Sequence, residues 1–200
     1  AQSKRYDSAL LIFDGALQKA LERPPWTLVV SAVFAAAVGG KGWAKTQAVL
    51  DAASSKGLDV ANPPHSAVPR LVEAAGRCGA VAPARTLLDA VCKKGALDAP
   101  ILRGALMGFA VSGCADDAAR LLTLASADYP SLLTSQSYEL AMLAATKAGR
   151  WALGLSVFEQ LQVRAREEAA SKQPAPVEML ASAAPAASGE HEPESGWVQQ

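Results

Sequence analysis

Residues 138–161 read YELAMLAATKAGRWALGLSVFEQL, and the order of apolar and breaking residues in this stretch decides the fold. An apolar run from Leu140 to Ala145 meets a break at Lys147, Ala148, Gly149 and Arg150. A second stripe follows at Trp151, Leu155, Phe158 and Leu161. Spacings of three and four residues put that stripe on one face of a helix. Gly149 suits the left-handed geometry at which a helix stops. The stretch predicts a helix, a tight turn and a second helix whose apolar stripe needs a cover.

Neither helix can bury its apolar face alone, and the chain supplies copies. The slot of Phe158 recurs upstream as Leu122, Leu88, Leu50 and Phe13, at separations of 36, 34, 38 and 37 residues. Nine residues before the marker stand Gly149, Gly113 and Gly79, with Lys41 between Gly40 and Gly42 in the earliest full copy. Four before it stand Gly154, Ala118, Ala84 and Ala9, with Thr46 the exception, and small residues there let paired helices approach closely. A nearly fixed period of this size predicts an all-α fold, an α-solenoid of stacked antiparallel helix pairs. The expected units are a half repeat at 1–21 and repeats at about 26–62, 63–98, 99–134 and 135–166.

Composition agrees. Half of the residues are apolar but only 6% are aromatic, so the core is built from Ala, Leu and Val. No window alternates with the two-residue period of a strand. Net charge is zero, yet residues 1–166 carry 18 Lys and Arg against 13 Asp and Glu, or +5, while 167–200 carry one Lys and six Glu, or −5. A modestly basic body with an acidic tail suits nucleic acid or a basic partner. Cys78, Cys92 and Cys114 form no Cys-x-x-Cys, and with only His65 and His191 no metal site is expected. They read as free thiols in a reducing compartment. The longest apolar run, residues 28–38, is far short of the ~20 needed to span a membrane.

In chain order, Tyr6, Ala9, Leu10, Phe13, Ala16 and Leu17 form the stripe of a second helix that lacks its first. The chain begins with Ala, so a processed or truncated start is inferred, with no transit peptide in view. Pro24 and Pro25 precede an uncharged helix over 26–38, expected to be covered on several sides. Gly39 through Thr46 resembles a phosphate loop, but Ala44 stands where glycine is needed and a helix precedes it. A repeat turn explains the segment. The unit from Pro63 is the most basic, with Arg70, Arg77, Arg85, Lys93 and Lys94. Asp116 and Asp117 open a helix where negative charge is favoured. From Ala169 onward Ala, Pro, Ser and Glu dominate, so the tail is expected to be disordered on its own, with Met179-Leu180 and Trp197-Val198 as short anchors. No nucleophile, base and acid set forms around His65, and neither catalysis nor a cofactor is expected.

The helix, KAGR turn, helix and Phe pattern resembles the pentatricopeptide repeat family, as do the linkers SSKGLD at 54–59 and CKKGALD at 92–98. The resemblance covers roughly residues 4–166. It implies single-stranded RNA recognition, one base per repeat, by side chains near the start of each first helix. Matched on the turn glycines, that position falls on Ser31, Pro69, Arg103 and Glu139. The family's second position falls on Pro64, Asp98 and Thr134. Arg77 and Lys147 match a slot that can meet phosphate, and Arg70 adds to the basic surface of its unit. Arg, Glu and Pro depart from the family's usual Asn, Thr or Ser, so no base code is read. The resemblance also implies a mitochondrial or plastid setting. The alternative is a scaffold subunit of an organellar ribosome or RNA-processing complex, binding protein rather than RNA.

Overall fold

The computed structural model describes residues 2–18, 23–40 and 42–172. Among these lie nine α-helices and no strand. Helix α1 (Gln2–Gln18) precedes four pairs: α2 (Trp26–Val38) with α3 (Gly42–Ser55), α4 (Val68–Arg77) with α5 (Val81–Lys93), α6 (Ala99–Ser112) with α7 (Ala115–Asp128), and α8 (Ser135–Lys147) with α9 (Trp151–Lys172). Short 3-10 turns at His65–Ala67 and Pro130–Leu132 lead into α4 and α8. The breaks fall where glycine was expected: Gly79, Gly113 and Gly149 take φ of 68, 76 and 67° between the helices of a pair.

The first helices lie side by side in chain order, α2 on α4, α4 on α6 and α6 on α8, and each packs on its own second helix. Uncharged α2 meets α1, α3 and α4 and buries Val29, Ala32, Val33 and Ala35 through Ala37. The interior holds two apolar clusters. One includes Phe13, Val29, Val33, Val49 and Leu71, the other Val72, Leu102, Phe109, Leu122 and Val157, and Leu87 touches both. Ion pairs tie successive units at the starts of their second helices, Arg85 to Asp117 and Arg150 to Asp116 at 3.1 Å.

Three features depart from the sequence reading. The α9 stripe faces outward: Trp151, Leu155 and Phe158 are 68, 64 and 44% exposed, while Val157 points in. The cause is position in the row. The Phe158 slot is buried at Phe13, Leu88 and Leu122, each followed by another first helix, and no described helix follows α9. Second, the closest helix approach joins successive first helices rather than pair mates. A Cβ on Gly104 would stand 2.5 Å from the Pro69 carbonyl oxygen, and one on Gly108 2.8 Å from that of Glu73. At Gly154 the nearest atom, Ala145 Cβ, would lie at an ordinary 3.7 Å. Ala84 and Ala118 are buried as the small-residue slot requires. Third, α9 runs on to Lys172 instead of ending near Arg166. Arg164 holds its last turns by pairing with Glu168 at 2.9 Å and donating to the Pro130 carbonyl at 2.9 Å. The remainder of the expected tail, 173–200, lies outside the described residues.

Candidate functional site

Stacking the first helices brings their starts into one surface. Ser66, Pro69, Arg70 and Glu73 form one wall of a groove between α4 and α6, Arg103 and Met107 the other, and Gln136 of α8 closes its end. A second groove continues from Arg103 to Leu132, Thr134, Gln136 and Leu140. Arg103 and Gln136 belong to both, so three successive first helices share this surface.

Of the expected positions, Pro69, Arg70, Arg103 and Thr134 line these grooves. Arg103 is exposed and, among the described residues, has no ion-pair partner. Arg70 donates to Glu73 Oε2 at 3.1 Å and Arg77 to Glu73 Oε1 at 2.9 Å. The guanidinium carbons of the two arginines lie 4.6 and 5.6 Å from the centre of the Phe34 ring on α2. This cation–π geometry and the nearly buried Glu73 draw Arg77 into the α2–α4 junction, and the three charged groups together carry +1.

Thr134 and several of the other expected residues also make contacts within the fold. Asp98 caps α6, accepting from Ile101 N at 2.8 Å, and its other oxygen meets His65 Nε2 at 2.7 Å. Thr134 opens α8 in a reciprocal cap, its N–H donating to Ser137 Oγ at 3.2 Å and its carbonyl accepting from Ser137 N at 2.9 Å. Lys147 Nζ donates to the Val111 carbonyl at 3.0 Å, satisfying an acceptor at the end of α6. Ser31 turns its hydroxyl back to the Thr27 carbonyl at 2.7 Å. Glu139 is exposed on α8 outside the grooves. Arg77 and Lys147 thus each have a partner within the fold, and neither lines the two grooves that Arg103 shares.

Sequence reading missed Phe34, Glu73, Met107 and Gln136. For Glu73 a signal existed, since it stands three residues after Arg70 and four before Arg77, the spacing of helical ion pairs. Gln136 carried none, because its place depends on how α8 meets α6. Burial raises the thiol of Cys92 above its ordinary range, with Asp89 and Asp128 adding to the effect. Among the described residues no group of three His, Cys, Asp or Glu could hold a metal ion, and no helix is long and apolar enough to cross a membrane. The chain matches no protein-family model and no curated protein sequence.

Proposed function

We propose that the chain is a non-catalytic α-solenoid, of the kind that pentatricopeptide repeats build, and that it holds single-stranded RNA across the starts of its first helices. The observation that carries this reading is the shared groove, where Arg103, without an ion-pair partner among the described residues, sits between the polar side chains of Ser66, Thr134 and Gln136. Amide and hydroxyl groups suit the edges of unstacked bases, and a guanidinium suits phosphate or a base plane. Three first helices reach few nucleotides, so the expected contact is weak and tolerant of sequence. The organellar setting, and a role in RNA processing, stability or translation, come with the family resemblance and belong to the same proposal. So does the contrast of charge along the chain, with −5 over residues 167–200 set against the basic body.

Anisotropy of a labelled single-stranded RNA tests it. Binding is expected at low salt and should fall steeply between about 50 and 200 mM salt. Arg103→Glu should weaken it more than Lys147→Glu, whose ammonium already serves a carbonyl. Absence of binding at low salt sinks the reading.

A second reading, a protein scaffold, is favoured by how many cations are already paired: Arg70 and Arg77 with Glu73, Arg85 with Asp117, Arg150 with Asp116. Pairing lowers the field that would gather phosphates. Under this reading Arg103→Glu would leave assembly with the partner protein intact.

A further inference from the structure

We infer that the cleft between α7 and α9 docks an extended, basic segment of a partner protein, one that presents arginine, an aliphatic residue and arginine at alternate positions. The cleft shares no residue with the grooves that Arg103 joins, and the inference rests on neither reading given above. It is an open space of about 550 Å³ with the buried Tyr138 at its floor, Thr123 and Ser126 of α7 on one side and α9 on the other.

Its charge is one-sided. Glu159 and Glu167 are exposed on its wall and make no ion pair among the described residues. Arg164, beside them, is already committed to Glu168 at 2.9 Å and to the carbonyls of Pro130 and Leu133 at 2.9 and 3.2 Å. The equivalent cleft between α5 and α7 sets Arg85 and Arg120 against Asp89 and Asp117 and is balanced. Hydrogen-bonding capacity leans the same way. Ser126 and Thr123 spend their hydroxyl hydrogens on the carbonyls of Leu122 and Ala119, at 2.9 and 3.0 Å, so each offers the cleft lone pairs only. Such a lining repels phosphate and calls for a cationic donor.

Spacing says how that donor is carried. Glu159, Val163 and Glu167 stand at i, i+4 and i+8 and form one row along α9, its members about 6 Å apart. Val163, in the middle of the row, is 52% exposed. A strand carries alternate side chains on one side at about 6.6 Å. Three alternate side chains of a strand laid along α9 therefore keep step with the row. The outer two meet carboxylates and the middle one meets Val163. Guanidinium suits the outer places, because its fork can hold a carboxylate and a hydroxyl oxygen at once.

Anisotropy of a labelled peptide tests this on the full chain with no RNA present. The peptide is a short run of threonine with arginine, valine and arginine set at alternate central positions. Binding should weaken about tenfold or more with Glu159→Lys and Glu167→Lys together. Ser126→Trp, at an exposed side chain, should weaken it as much by filling the cleft without changing a charge. Glu192→Lys with Glu194→Lys makes the same change of net charge outside the cleft, and should leave the affinity within about twofold. A peptide of the same composition with its arginines adjacent should bind more weakly. Absence of binding at low salt overturns the inference, as does full affinity in Ser126→Trp. Equal losses in the two lysine pairs, or equal affinity for the reordered peptide, would mean attraction by net charge alone and also overturn it.

Discussion

Glu73 is 7% exposed, so its carboxylate has little access to water when a partner is lost. Its two arginines are unequal. The side chain of Arg77 is 21% exposed and lies in the α2–α4 junction, whereas that of Arg70 is 56% exposed and its pairing is screened. Removing the inner partner leaves a nearly buried charge half satisfied, a cost of about 1–3 kcal/mol. Removing the outer one should cost less than about 1 kcal/mol. The expected outcome is that Arg77→Leu lowers the urea midpoint well below that of Arg70→Ala. Equal midpoints would show that Glu73 is solvated after all. The same residues show what sequence can and cannot give. The spacing of Arg70, Glu73 and Arg77 was legible as helical ion pairing, but their meeting with Phe34 spans more than 35 residues and depends on α2 lying against α4. Local spacing fixes which side chains share a face. It does not fix which face of another helix receives them, and so the intramolecular partners of Arg77 and Lys147 could not be read from spacing.

At the scale of elements, the α4–α6 crossing sets the order of effects. Alanine usually improves a helix over glycine by about 0.5–1 kcal/mol. At Gly108 that gain meets a Cβ position 2.8 Å from the Glu73 carbonyl oxygen and 2.9 Å from Gly76 Cα, both backbone, which can give way only by moving a helix. Overpacking costs about 1–3 kcal/mol and exceeds the propensity gain. Gly15 is the control, for a Cβ there would meet nothing within 4 Å. Gly15→Ala should therefore raise the thermal midpoint and Gly108→Ala lower it. A rise in both would remove the close crossing from the account. The helices themselves were readable from breaks and periodicity, α2 over the residues 26–38 that it occupies. Which glycines are pressed by a neighbour was not, because Gly104 and Gly154 occupy equally plausible helical positions in sequence and differ only in what packs on them.

At the scale of the whole molecule, each pair contacts its neighbours and little else, and the interior divides into two clusters joined near Leu87. A core lesion should thus be felt unevenly. Phe109→Ala, at a side chain 1% exposed, should cost about 3–5 kcal/mol. It should speed amide exchange most in α4, α6 and α8, and least in α1 through α3. Uniform acceleration along the chain would mean that the two clusters unfold as one. The recurrence of Phe13, Leu88, Leu122 and Phe158 predicted this row of like units. The outward turn of α9 was not legible, because the recurrence names a slot without saying whether anything follows to fill it.

The α4–α6 crossing has a mechanical side as well. Where backbone rests directly on backbone there is no layer of side chains to shear or repack, so this joint behaves as a weld. The junctions on either side, α2 with α4 through the Phe34 ring and α6 with α8 through Leu102 and Leu140, keep a cushion of rotamers. Flexing should therefore be taken up on either side of this joint, while the groove walls contributed by Arg70 and Arg103 keep their spacing.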